Sequence, residues 1–274
     1  MIVNKAGDKH GYLKVVERER GVKVLQYLTE IESPSNHTIS GVRFWPVEGG
    51  TVISMPVAGG WLTSLSKPNE QLWSVALQLV EAVAFMHEHN VAHMDLKPQN
   101  VIIPAEGGRL SIIDFTFSIR VGDPDARYSG VVGTEGYIAP EVQEGEYKPM
   151  VADLWSCGRT LEELCARCRP SADQTMLLEI AGQLMNQDPE ARPRMSIVLE
   201  RMTSFRREEG PVTVGGGLIR FSIVLITVCR SFPTRITMSC NLALSLNFRH
   251  HDVLECRRIS VVLMYHIVCC AIMD

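Results

Sequence analysis

The sequence predicts an α+β fold in which a small β-rich part leads into a larger helical one. Three observations carry this. Short runs of β-branched and aromatic residues cluster before residue 60. Beyond that point, apolar residues recur every three to four positions over long stretches. A hydrophobic content of 46% over 274 residues is enough for a sizeable core.

The elements follow in order. "GYLKVV" (11–16) reads as a short strand, and "VKVLQYLTEI" (22–31) puts Val24, Leu25 and Leu28 on one helical face. "GVRFWPV" and "TVISMPV" are strand-like runs separated by Glu48-Gly49-Gly50, a hairpin signal. From Glu70 to Glu88, Leu72, Ala76, Leu79, Val83 and Met86 define a long helix, with Ser66 or Asn69 available to cap it. "NVIIP" and "LSIID" are short strands around a Gly107-Gly108 turn, and the chain beyond residue 150 is mainly helical.

Composition narrows the classes. A net charge of −4 argues against a nucleic-acid binder. "MIVNKAGDKHGYLK" has no apolar run of signal-peptide length. Eight Cys lack framework spacing, and the Cys165–Cys168 C-x-x-C has no second pair at zinc spacing, so reduced thiols are expected. His87, His89 and His93 would converge on one face only if a helix ran through Asn90, so no metal site is expected there. No nuclear, lipidation or membrane signal stands out, which leaves the cytoplasm as the default location and no transmembrane helix.

Composition also changes near Gly210. Residues 211–274 hold six Arg, no Lys, three acids and five of the Cys, and open on the breaker run "GPVTVGGG". The run "FSIVLITVC" (221–229) falls short of the roughly 18 apolar residues of a bilayer span. "ISVVLMYHIVCCAIM" (259–273) reads as a strand or interfacial segment. The expected division is 1–58, 59–208 and an atypical tail, 209–274, without a stable fold.

The chemistry concentrates in "HMDLKPQN" (93–100), a loop between a long amphipathic helix and an apolar strand. Asp95, Lys97 and Asn100 are expected to face one cleft. Asp114 follows at the end of "LSIID". Two acids and an amide supply hard oxygen ligands suited to Mg²⁺, and a nearby Lys offers positive charge to a phosphoryl group in transfer.

These residues resemble a known family. "HMDLKPQN" is similar to the catalytic loop of eukaryotic-type protein kinases, and "DFT" (114–116) to their magnesium-binding triplet. "GTEGYIAPE" (133–141) resembles the end of the activation segment, "DLWSCG" (153–158) the start of the large buried helix, and "DPEARP" (188–193) the late Arg motif. The resemblance implies a two-lobed fold over about residues 10–208, with an abbreviated β-rich N-lobe (1–58) and a helical C-lobe (59–208). It implies ATP and Mg²⁺ as cofactors and a protein Ser or Thr hydroxyl as substrate, Lys97 being of the Ser/Thr type. Asp95 would accept or orient the hydroxyl proton, Lys97 would steady the γ-phosphate, and Asn100 and Asp114 would hold the metal. Lys14, Met55, Pro56, Val57, Ala58 and Ile102 would contact the nucleotide. Thr134 would bond the catalytic loop, Asp153 would hold its backbone, Glu141 would pair with Arg192, and His93 and Phe115 would pack.

Four departures stand against that pattern. Met94 replaces the Arg that normally pairs with a phosphorylated activation loop, so Ser129 or Thr134 phosphorylation has little to read it. Thr116 replaces Gly and restricts the backbone after Phe115. No glycine-rich loop precedes Lys14. Gly21 stands where a Glu should face Lys14, with Glu17 and Glu19 as near substitutes, and Tyr12 brings a bulky ring to the adenine roof. The unusual ends suggest a truncated or spliced N-terminus, or a pseudokinase that binds partners. The retained Asp95, Asn100 and Asp114 favour catalysis. A small-molecule phosphotransferase fits less well, because the peptide-platform segments "APE" and "DLWSCG" are present.

Overall fold

The computed structural model describes residues 2–3, 11–56 and 58–208. The expectations for Val57, for the absence of a glycine-rich lid before Lys14 (residues 4–10), and for the tail 209–274 fall outside the described residues.

The N-terminal part is an antiparallel sheet with one helix. β1 (Ile2–Val3) pairs with β2 (Gly11–Val16), and α1 (Glu19–Thr29) follows. β3 (Arg43–Val47) and β4 (Gly50–Pro56) form the expected hairpin. Its turn is Glu48-Gly49, and Gly49 takes φ of 81°, which glycine adopts without a Cβ clash. The strand order is β1-β2-β4-β3. Because opposed residues share a sheet face, the Lys14–Ile53 and Tyr12–Met55 pairs put Lys14 and Met55 on the same side.

The helix α1 starts three residues before the apolar pattern does. Glu19 sits in its first turn and pairs with Lys23 at 2.9 Å, so charge extends the helix where hydrophobicity does not. Val22, Val24, Leu25 and Leu28 are buried. Each is worth about 1.5–3 kcal/mol relative to exposure.

The rest is mainly helical. β5 (Gly60–Trp61) leads to α2 (Pro68–Glu88), whose apolar positions are buried nearly all round. Its cap differs from the expectation. Lys67 occupies the N-cap without a side-chain bond, Pro68 supplies the fixed φ of a first helical residue, and Gln71 accepts from the Lys67 N–H at 3.0 Å. Asn69 instead accepts from the Arg169 N–H, and Ser66 bonds the Ala105 carbonyl. Asn90, at φ of 56°, ends the helix, so His89 and His93 do not share a helical face.

β6 (Val91–Ala92), β7 (Val101–Ile103) and β8 (Ser111–Ile112) frame the loop that matters most. A 3₁₀ turn (Phe115–Phe117), β9 (Ile119–Arg120) and β10 (Tyr128–Ser129) follow. α3 (Pro140–Glu144), β11 (Glu146–Tyr147), α4 (Pro149–Ala166), α5 (Ala172–Leu184) and α6 (Met195–Glu208) complete the described chain. Cys157, Cys165 and Cys168 are free thiols, and burial pushes the Cys165 thiol up to about 12. Among the described residues no helix is long and apolar enough to cross a membrane.

Candidate active site

The loop at 93–100 is fixed from beneath by one buried acid. Asp153, fully buried on α4, accepts the His93 N–H at 2.5 Å and the Met94 N–H at 2.7 Å. Met94 takes φ of 66°, a left-handed turn that this pair of bonds holds in place. His93 adds a second anchor. Its Nδ1 accepts the Asp95 N–H at 3.3 Å, so the proton is assigned to Nε2, which donates to the Ile113 carbonyl at 3.0 Å. The ring also meets Phe115 edge-on at 4.9 Å.

Asp95 is 4% exposed and both of its carboxylate oxygens are engaged. Thr134 donates to Oδ1 at 2.6 Å, and Lys97 donates to Oδ2 at 2.7 Å. Lys97 also reaches the Thr134 hydroxyl at 2.5 Å. Asn100 donates through Nδ2 to the Asp95 carbonyl at 2.8 Å and to Oδ2 at 3.1 Å. Residues from the loop and from the 133–141 segment thus converge on one carboxylate.

Asp114 shares no hydrogen bond with that cluster among the described residues, and it does not end a strand. β8 stops at Ile112, and Asp114 adopts φ of 64° as the cap of the following 3₁₀ turn. The short side chain of Asp tolerates this region because it can bond locally. Thr116 donates to Oδ1 through its hydroxyl at 2.6 Å and through its N–H at 3.4 Å. Lys14 donates to the same oxygen at 2.5 Å and to the Thr116 hydroxyl at 3.0 Å. Burial pushes the Asp114 carboxyl up, but the bonds from Lys14 and Thr116 and the Lys14 charge outweigh it and hold the group below its ordinary value.

Lys14 therefore meets Asp114 and not an acid from α1. Glu19 is taken by Lys23. Gly21 is packed against the 3₁₀ turn: a Cβ there would lie 2.9 Å from Thr116 Cα, 3.0 Å from the Phe115 carbonyl carbon and closer still to its oxygen. The glycine permits a close approach that no side chain would allow. Sequence reasoning read this position only as a lost Glu, and Thr116 only as a stiff residue. The bridging hydroxyl of Thr116 was missed, and its signal was a hydroxyl residue beside a carboxylate in a turn.

The other expected nucleotide residues lie on β4, just after it, and on β7. Met55 and Ala58 are partly buried against the main core, Pro56 is exposed at the end of β4, and Ile102 is 7% exposed within β7. The Glu141–Arg192 pair is bidentate at 2.6 and 2.8 Å, and Arg192 also bonds the Asn186 and Val151 carbonyls.

The donor set suits a hard cation. Nδ2 of Asn100 is committed to Asp95, and its carboxamide oxygen has no hydrogen-bond partner among the described residues. The same holds for Oδ2 of Asp114. One carboxylate oxygen and one amide oxygen match Mg²⁺, which keeps several waters and takes few protein ligands. Among the described residues no group of three or more His, Cys, Asp or Glu could hold a metal ion, so a cation here would rest on one carboxylate, one amide and waters.

A family model described as "Protein kinase domain" matches residues 50–206, more than half of the chain. "CBL-interacting serine/threonine-protein kinase 16" of Arabidopsis thaliana is 28% identical over 223 residues, covering 69% of this chain and 46% of that protein. "Serine/threonine-protein kinase 36" of Pongo abelii is 36% identical over 103 residues, covering 38% of this chain and 8% of that protein. "Putative CBL-interacting protein kinase 27" of Oryza sativa is 42% identical over 103 residues, 36% of this chain and 25% of that protein. The chain spans less than half the length of each.

Proposed function

Because the chain belongs to the protein kinase family, we propose that it transfers the γ-phosphate of ATP to a Ser or Thr hydroxyl of a protein substrate. One observation carries this reading. Asp95 is buried, fixed through both oxygens, and surrounded by Lys97, Asn100 and Thr134.

In the reaction the substrate oxygen attacks the γ-phosphorus, the bond to the ADP oxygen breaks, and the hydroxyl proton passes to Asp95. Lys97, 2.7 Å from Asp95, carries positive charge toward the transferring group. Thr134 and Asn100 restrict the Asp95 carboxylate to one orientation, which lowers the entropic part of the barrier. Asn100 and Asp114 would hold Mg²⁺, which neutralises phosphate charge when bound. Lys14 exchanges its Asp114 partner for a nucleotide phosphate.

A second reading has its own support. Lys14 is tied to Asp114 at 2.5 Å, and Gly21 leaves α1 without an acid to hold Lys14 clear of the metal position. A kinase-like interaction module that no longer binds nucleotide would keep that pair closed.

Thermal unfolding with and without Mg-ATP separates the two. Ligand at 100 times its dissociation constant adds about 2.7 kcal/mol. A shift that disappears in Asp114→Asn supports the kinase reading, and no shift in the wild type refutes it in favour of the module.

A further inference from the structure

Among the described residues, the hydrogen bonds of the Lys14 side chain go to residues 114 and 116 alone. Among the described residues its ammonium meets Asp114 Oδ1 at 2.5 Å and Thr116 Oγ1 at 3.0 Å, and nothing from α1. We propose that Thr116 is the positioning residue for Lys14, doing through its hydroxyl what no acidic residue on α1 does here. The proposal rests on the nucleotide-binding reading above and deepens it.

The proton count supports the assignment. The Thr116 hydroxyl has one hydrogen, donated to Asp114 Oδ1 at 2.6 Å, and a lone pair that accepts from Lys14. It therefore serves both charged groups at once. The hydroxyl is also mounted rigidly. Phe115 beside it is 3% exposed and packs on His93, and the backbone of Gly21 lies against Thr116 Cα. A β-branched residue has few side-chain rotamers, so the hydroxyl is held in place.

The consequence appears when Asp114 turns to a cation. Lys14 then loses its carboxylate partner. A flexible four-carbon stem with a strongly hydrated head keeps no orientation by itself. The Thr116 hydroxyl is the remaining fixed partner that aims the ammonium at the nucleotide. Glycine at this position, the residue usual in the family, supplies no such partner. In this chain the more typical residue is the damaging one.

The test uses the full chain with Thr116→Val, Thr116→Ser and Thr116→Gly. Valine keeps the branched shape without the hydroxyl, and serine keeps the hydroxyl. Two readouts are taken: the rate at which an amine-directed reagent labels Lys14 without nucleotide, followed by peptide mass spectrometry, and the dissociation constant for Mg-ATP from the thermal shift. A hydrogen bond to a charged group corresponds to roughly tenfold, so Val and Gly variants should label Lys14 about tenfold faster and bind Mg-ATP about tenfold more weakly, with Ser within about twofold of wild type. Wild-type labelling in Thr116→Val, or a Thr116→Ser variant that falls as far as Val, overturns the assignment. If the wild type gives no shift with Mg-ATP, the nucleotide reading fails while the labelling rates still decide whether Thr116 anchors Lys14.

Discussion

Replacing Gly21 by alanine should destabilise the protein, although alanine is the better helix former. Helix propensity alone favours the change by up to about 1 kcal/mol. The structure opposes it. The new Cβ would lie 2.9 Å from Thr116 Cα, where ordinary contact begins at 3.4 Å, so α1 and the 3₁₀ turn must separate by at least 0.5 Å (3.4 − 2.9), and by more to clear the Phe115 carbonyl. Neither side gives easily. The obstructing atoms are backbone, and Phe115 beneath them is buried. Overpacking of this kind costs about 1–3 kcal/mol. Because the tightest clash is with the Phe115 backbone carbonyl, the upper part of that range, about 2–3 kcal/mol, applies. Less the propensity gain, the net is a loss of about 1–2 kcal/mol, which for a domain of this size lowers the melting midpoint by roughly 2–8 °C. Gly182→Ala is the matched control, since a Cβ there meets nothing within 4 Å and should be neutral or stabilising. Chemical and thermal unfolding of both variants give the answer. A Gly21→Ala protein as stable as wild type would refute the close packing of α1 on the turn. Gly21→Glu should fare worse still, so restoring the acid would not repair Lys14.

Three further outcomes are expected. Asp95→Asn should abolish phosphotransfer while leaving the melting midpoint near wild type, measured by transfer of labelled phosphate to a mixed Ser/Thr substrate; retained turnover would sink the assigned role. Glu141→Ala leaves Arg192, whose side chain is fully buried, without its carboxylate; the cost should be about 3–5 kcal/mol in equilibrium unfolding, and a loss below 1 would show that the pair is dispensable. For Glu81, burial raises the carboxyl, but bonds from His37 and Ser35 prevail and hold it below its ordinary 4.5. A depressed carboxyl stabilises the fold above its unfolded value and loses that contribution as pH falls through the folded one, so Glu81→Gln should flatten the decline in stability below pH 4.5. An unchanged acid limb in that variant would contradict the link.

The large helical part was legible because its signals are local or strongly periodic. The α2 pattern from Leu72 to Met86, the hairpin at Glu48-Gly49, and the strands on either side of Gly107-Gly108 all lie within short windows of sequence. The motifs point to the family on their own, because each carries a residue type that its chemistry demands. What failed was long-range. The α2 cap was misread because Asn69 is drawn to Arg169, one hundred residues away. The partner of Lys14 was misread for the same reason: Asp114 is one hundred residues on, and no local window contains both. Gly21 looked like a deletion of chemistry, whereas its burial against residues 115 and 116 is a packing requirement that a single sequence cannot display.

The departures at Met94 and Gly21 have one physical feature in common. In each, an interaction between charges is replaced by close packing. Met94 is 5% exposed and sits in an apolar cluster with Ile119, Val121, Val142 and Tyr147, which binds the loop to the segment beyond it without a phosphate. Gly21 lets α1 rest directly on the 3₁₀ turn without an ion pair. Packing of this kind is insensitive to salt and to phosphorylation, and it is not easily undone, since interiors have few alternative arrangements. An ion pair between α1 and Lys14 could be made and broken as α1 moves. A glycine contact holds the helix in one place. The consequence is that α1 does not take part in holding Lys14, whose ammonium is left to the Asp114 carboxylate and the Thr116 hydroxyl.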